Sequence, residues 1–233
     1  MKMYLVTGIR STENDWKKCI HTFLRERTIA RIVEETSIPH SRVERMVLYL
    51  RRCMEKDMPS QLPTPVEMDE TYIGGQRKNK RLHIRRIQGK KGHGTDKLPI
   101  VGIFSRTSGE VYVEVLERKL DVRKIFNIID TRCTLGSKIY TDGFKMYRGL
   151  KHKGYTHEYV DHAGGELVRG LVHSNNIEGF WGILKRKLSC IGGMRRPNLH
   201  LFVAEIVWKF NHRKLSLQKQ EEKLFEIISK FGG

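Results

Sequence analysis

Asp69, Asp142 and Glu178 are the residues whose types and placing suggest chemistry. Asp69 lies in VEMDETYI, a stretch with strand-like alternation. Asp142 follows SKIYT and precedes Gly143, where the end of a strand turns into a loop. Glu178 lies in SNNIEGFWGILKRKL, which has the period of a helix. Three carboxylates brought together repel one another unless cations sit between them. Hard oxygen ligands suit Mg²⁺ or Mn²⁺. Two such ions roughly 4 Å apart would activate an attacking hydroxyl and stabilise the leaving oxygen of an in-line displacement at phosphorus. No nucleophile from the protein is required.

The helix that carries Glu178 is the element around which the others are arranged. Ile177, Trp181, Leu184 and Leu188 form its apolar stripe, and Glu178 sits beside that stripe. Lys185 lies seven residues on, nearly two turns, and so shares the face of Glu178. A carboxylate and a cation fixed on one rigid face suit a metal and a phosphate. Glu178 also has a purely structural reading. Asn175-x-x-Glu178 fits a capping box, with the glutamate reaching back to the helix start.

The other two acids need a sheet. Val66–Ile73 reads as its first strand, with Asp69 and Glu70 on opposite faces. Leu98–Phe104 is a continuous apolar run, as a buried strand would be. Val111–Leu116 alternates and completes a hairpin after the turn at Thr107–Glu110. Asp121–Cys133 reads as an amphipathic helix with Val122, Ile125, Ile128 and Ile129 inward. Ser137–Thr141 is a fourth strand, Phe144–Leu150 a short helix and His157–Val160 a fifth strand. The expected fold is α/β, a mixed five-stranded sheet flanked by helices. If the first and fourth strands are neighbours, Asp69 and Asp142 meet at one end of the sheet. A helix laid across that end delivers Glu178. Asp161, Glu166 and Glu70 are lesser candidates, because acids in loops and on outer strand faces are usually solvated.

The chain of 233 residues has a formal net charge of +18. Such a field attracts polyanions, with nucleic acid first among them. A hydrophobic content of 39% supports a real core. No apolar run approaches the roughly 20 residues of a membrane span, and MKMYLVTGIR has too short an apolar stretch for a signal peptide. The expected location is cytoplasmic, in association with the nucleoid. Cys19, Cys53, Cys133 and Cys190 form no C-x-x-C pair and are widely scattered, which argues against a zinc ribbon or a disulfide framework.

The N-terminal part is expected to be all-helical. Trp16, Ile20, Phe23 and Leu24 mark a first helix, Thr28–Glu35 a second and Pro39–Met54 a third. The tight break at Thr36–Pro39 gives the last two the pattern of a helix-turn-helix. His40, Ser41, Arg42, Glu44 and Arg45 would then face a major groove. A small helical bundle used only for packing is the other reading. MPSQLPTP, residues 58–65, holds three of the six prolines and reads as a linker. The expected division is therefore a helical DNA-binding domain at 1–57, a linker at 58–65, a catalytic domain at 66–213 and a charged C-terminal helix at 214–233. Between the first two strands, residues 76–97 carry nine cations: Arg77, Lys78, Lys80, Arg81, Arg85, Arg86, Lys90, Lys91 and Lys97. This segment reads as a loop or hairpin that follows a phosphate backbone.

The blocks MDETYIGG, YTDGFKMY and HSNNIEGFWGILKRK resemble the signatures of DDE transposases of bacterial and archaeal insertion sequences, in the ISXO-like group related to Merlin elements. The resemblance covers about residues 66–213. Between Asp142 and Glu178 lie 35 residues, a spacing shared with retroviral integrases and many DDE transposases. The resemblance implies an RNase H-like fold with Asp69, Asp142 and Glu178 as the metal triad. It implies that Lys185, with Asn175 or His173, contacts DNA near the scissile phosphate. Two Mg²⁺ or Mn²⁺ ions per site, double-stranded DNA ends and target DNA as partners, and a homodimer or larger assembly follow from it. The activity implied is cutting transposon ends and joining the 3′-OH to target DNA. Two rival readings remain: a structure-specific RNase H-like nuclease, and a domesticated helix-turn-helix regulator.

Overall fold

The computed structural model describes residues 5–74, 97–117, 120–142, 145–160, 174–191 and 196–231. The chain divides into two compact units, Met1–Met58 with Leu201–Gly233, and Pro59–His200.

The first unit is helical. Helix α1 spans Glu13–Leu24, α2 Ile29–Thr36 and α3 His40–Lys56. Thr12 caps α1 through a full capping box, accepting from the Asp15 N–H while the Asp15 side chain accepts from the Thr12 N–H. Thr28 caps α2. The α2–α3 turn is tight because Ser37 adopts a left-handed conformation, φ 58°, and Ile38 plugs into the core beneath it. Trp16, Ile20, Val43, Met46, Val47 and Leu50 are buried, as their spacing predicts.

Two later helices complete this core, α6 at Leu199–Asn211 and α7 at Leu217–Phe231. Trp208, Leu224, Ile227 and Ile228 join the cluster built on α1–α3. The expected division put this helix in the catalytic domain at 66–213, but from Leu201 onward it belongs to the helical unit. Two polar ties hold it there. The Trp208 indole N–H donates to Asp57 Oδ2 at 2.9 Å. Glu205 accepts from Arg51 Nε and Lys209 Nζ, both at 2.8 Å, and these side chains are largely buried.

The second unit is built on a five-stranded sheet in the order β3-β2-β1-β4-β5. Its strands are β1 Val66–Ile73, β2 Leu98–Ser105, β3 Val111–Val115, β4 Lys138–Asp142 and β5 Thr156–Val160. Strand β2 runs antiparallel to β1 and β3, whereas β4 runs parallel to β1 and β5 parallel to β4. The mixed five-stranded sheet flanked by helices is the expected arrangement. Helix α4, Val122–Arg132, buries Ile125, Ile128 and Ile129, while Val122 at its first turn lies at the surface. A short helix was expected before β5, and it is a 3₁₀ helix at Lys145–Lys153. Helix α5, Asn175–Ser189, packs on β1 and β2 through Ile177, Trp181 and Leu184.

The proline-rich segment is no free linker. It ends the helical unit at Met58, but it is stitched to the sheet unit. The Leu62 N–H donates to the Arg132 carbonyl at 2.8 Å, Ser105 Oγ donates to the Pro63 carbonyl at 2.6 Å, and the Lys138 N–H donates to Thr64 Oγ1 at 2.8 Å. Cys19, Cys53 and Cys133 are buried thiols and Cys190 is exposed. Among the described residues no helix is long and apolar enough to cross a membrane.

Candidate active site

Strand register places the two aspartates. Glu67 on β1 pairs with Tyr140 on β4, and the ladder between these parallel strands stops there. Two residues further along each strand, on the same face by alternation, are Asp69 and Asp142. They therefore flank the crevice that opens where β1 and β4 part. Such a crevice at the carboxyl ends of strands is where sheets of this kind take ligands. Glu178, on the first turn of α5, comes to the same face, because α5 packs on β1 and β2.

The electrostatics agree with this convergence. Burial pushes the Asp69 carboxyl up from its ordinary 3.8 to about 6, and the negative charges of Asp142 and Glu178 add to the rise. Glu70, on the opposite face of β1, is pushed up to about 7, first by burial and then by Asp142 and Asp69. The buried Tyr147 hydroxyl donates to Glu70 Oε2 at 2.7 Å.

Each of three acids has a neutral proton donor. The Trp181 indole N–H donates to Asp69 Oδ2 at 2.9 Å. Ser174 Oγ donates to Glu178 Oε1 at 2.7 Å. Tyr147 serves Glu70. Among the described residues no three His, Cys, Asp or Glu side chains stand close enough together to hold a metal ion. The donor set is nevertheless the chemistry that Mg²⁺ or Mn²⁺ takes: carboxylate oxygens gathered at one end of a sheet.

Trp181 reaches Asp69 because of one glycine. Gly102 on β2 is the ladder partner of Asp69. A Cβ at 102 would lie 2.5 Å and 2.7 Å from two ring atoms of Trp181 and 3.0 Å from Ile177 Cδ1. The bare backbone leaves room for the indole.

One reading from sequence is corrected here. The capping box at Asn175-x-x-Glu178 does not form. Ser174 is the N-cap residue, with no side-chain cap bond, and Glu178 faces Ser174 Oγ. The cap comes from β1, where Glu67 Oε2 accepts the N–H groups of Asn176 at 2.9 Å and Ile177 at 3.0 Å. Sequence reasoning also passed over Glu67 and Trp181. The signal for Glu67 was an acid two residues before Asp69, and so on its face, in a strand otherwise fit for burial. Trp181 was read only as part of the apolar stripe.

Of the residues read as nucleic-acid contacts, Lys185 and Asn175 are exposed on α5. Arg42 is half-buried and Arg45 exposed on the first turns of α3. Arg45 makes only long contacts, 3.4 Å to the Ser41 carbonyl and 3.5 Å to that of Gly8. His173, Arg77, Lys78, Lys80, Arg81, Arg85, Arg86, Lys90 and Lys91 lie outside the described residues, as do Asp161 and Glu166.

Residues 61–211 match the model of the ISXO2-like transposase domain family. The chain is 32% identical over 192 residues to an uncharacterized protein in the transposable element ISH50 of Halobacterium salinarum, a match that covers 79% of this chain and 65% of that relative. It thus spans just under two thirds of that relative's length. An uncharacterized transposase-like protein of Haemophilus influenzae is 28% identical over 91 residues, 39% of this chain and 73% of its own. Among solved structures, a pre-cleavage Mos1 transpososome is similar at 10% identity and a TM-score of 0.37, covering 100% of this chain and 82% of that one. A simian T-cell lymphotropic virus intasome is similar at 15% identity and a TM-score of 0.39, covering 86% and 69%.

Proposed function

The chain belongs to the ISXO2-like transposase family, and on that premise we propose that it cuts transposon ends and joins the freed 3′-OH to target DNA. The observation that carries the reading is the register of β1 and β4. With Glu67 opposite Tyr140, Asp69 and Asp142 are the next residues on that face, and α5 brings Glu178 to it. In this reading Asp69, Asp142 and Glu178 hold Mg²⁺ or Mn²⁺. The bound cations supply charge stabilisation at phosphorus and a hydroxyl nucleophile at neutral pH.

The remaining roles belong to the chain itself. Lys185 and Asn175, exposed beside Glu178 on one rigid helix, bind the DNA backbone next to the scissile phosphate, with His173 just before the helix. The basic segment at 76–97 follows the phosphates on either side. Arg42 and Arg45 at the start of α3 read the element end, in a helix-turn-helix made by α2 and α3. Joining two ends to one target calls for at least two copies of the chain on the DNA. A charge of +18 draws that DNA in.

Labelled duplexes of any inverted repeats found in the DNA flanking the gene test this reading. They are incubated with protein, Mn²⁺ and target plasmid beside the Asp142→Asn variant. Cleavage at the repeat tip and joining to plasmid, both lost in the variant, support a transposase with these acids. Cleavage without joining points to a nuclease of the same fold. Repeat-specific binding with neither reaction points to a regulator. Cleavage that survives Asp142→Asn overturns the site.

A further inference from the structure

We propose that Glu67 is a positioning residue, a strand-borne cap that fixes α5 and so sets Glu178 against Asp69. The proposal rests on the reading of Asp69, Asp142 and Glu178 as the metal-binding acids.

The first N–H groups of an α-helix have no partner within the helix, and a residue at its start ordinarily serves them. In α5 that service comes from another element. Glu67 Oε2 takes the N–H groups of Asn176 and Ile177. Its Oε1 accepts Asn176 Nδ2 at 2.7 Å and Arg106 Nε at 2.7 Å. These four bonds, counted among the described residues, engage both carboxylate oxygens. The Glu67 side chain is 0% exposed. A charge so deeply buried persists only when paired and hydrogen-bonded, and a helix N-terminus favours it further.

The arrangement has a consequence for the site. Glu67 precedes Asp69 by two residues on one strand. Asn176 and Ile177 immediately precede Glu178 on one helix. The clamp thus ties the backbone beside one acid to the backbone beside another. A slip of α5 by one residue, about 1.5 Å along its axis, would break both N–H bonds. Metal-binding groups need placement to within about 0.5 Å. Moving the cap to β1 also leaves Ser174 free to hold Glu178.

Glu67→Gln keeps the side-chain volume but turns one acceptor into a donor, which sets an amide against either the helix N–H groups or Arg106. Two quantities are read: Mn²⁺ affinity by calorimetry, and the Mn²⁺ concentration that half-saturates end cleavage. The variant is expected to bind Mn²⁺ about tenfold more weakly, the range seen when residues that orient metal ligands are removed. Its half-saturation rises to match, while cleavage at saturating Mn²⁺ stays within about threefold of wild type. Ile129→Val, a cavity in α4 away from the clamp, controls for lost stability and should leave both Mn²⁺ readings unchanged. Asn176→Ala removes one of the four bonds. It should give a smaller shift of the same kind, and it carries the test if Glu67→Gln does not fold. Wild-type Mn²⁺ affinity in Glu67→Gln, or an equal shift in Ile129→Val, overturns the proposal. Asp142→Asn that cleaves as wild type overturns the reading of the acids themselves, and is told apart because it needs no change at Glu67.

Discussion

Asp69 stands opposite Gly102 in the β1–β2 ladder, and Trp181 fills the space that a side chain at 102 would occupy. A residue without a side chain on one strand therefore decides what touches a carboxylate on the next. The indole packs on the bare backbone and donates its N–H to Asp69. Gly102→Ala would place a methyl group 2.5 Å from the ring, so α5 or the indole must shift. Overpacking of this sort costs about 1–3 kcal/mol. Denaturant unfolding should show that loss, and Mn²⁺ binding should weaken with it. Unchanged stability would mean that the ring moves aside freely.

Trp181→Phe separates packing from hydrogen bonding at the same place. The phenyl ring keeps most of the buried contact but has no N–H to offer Asp69. Loss of one hydrogen bond to a partly buried carboxylate should cost about 1–2 kcal/mol. A carboxylate that is no longer oriented should also hold Mn²⁺ about tenfold less tightly. Calorimetry on the folded variant checks both parts. Full Mn²⁺ affinity beside reduced stability would make Trp181 a packing residue alone.

Glu205 gives the helical unit an acid limit. Burial opposes its charge, but Lys209 and Arg51 outweigh burial and hold its carboxyl below the ordinary 4.5. A depressed folded value stabilises the protein above the unfolded value, and the gain is lost as pH falls through the folded one. Stability from this group should thus be complete above pH 4.5 and decline below it. Glu205→Gln should lower stability by about 3 kcal/mol near neutrality and flatten the acid limb. Unfolding midpoints from pH 7 down to pH 3 test this, and an acid limb identical to wild type would reject it.

Arg42 and Arg45 should act through phosphate or base contacts at the start of α3. Each substitution by alanine should weaken binding to end duplexes. A residue that only neutralises a phosphate should lower the slope of log affinity against log salt by about 1, uniformly across sequences. A base contact should relax specificity at one position, at about 1–3 kcal/mol. Binding unchanged by both substitutions would leave α1–α3 a packing bundle.

Much of the sheet was legible, because alternation and apolar runs give strands directly. Val66–Ile73 was bounded to the residue, and Asp142 was marked by its place before glycine at a strand end. The job of Glu67 was not legible. A cap supplied from a distant strand leaves no local trace, and Asn175-x-x-Glu178 imitates the local version of the same device. Helix α6 went to the wrong unit because a broad apolar face shows that a helix is buried without saying against what. Its polar ties, Trp208 to Asp57 and Glu205 to Arg51, join residues about 150 positions apart. The proline run was read as spacer because its chemistry excludes helices and central strands, but nothing in it forbids hydrogen bonds to a sheet edge.

The helical unit is assembled from both ends of the described chain, with residues 59–200 between them. During synthesis α1–α3 emerge first, and the residues that close their core come much later: Trp208, Leu224, Ile227 and Ile228. At about 5–20 residues per second, the intervening stretch takes about 7–30 s to make. Until then Trp16, Leu50 and Met54 lack later neighbours of the same core, while the sheet unit is complete once residue 200 is made. The sheet unit is therefore complete before the helical unit is closed, and the interval is one in which a holding chaperone has an apolar surface to grip.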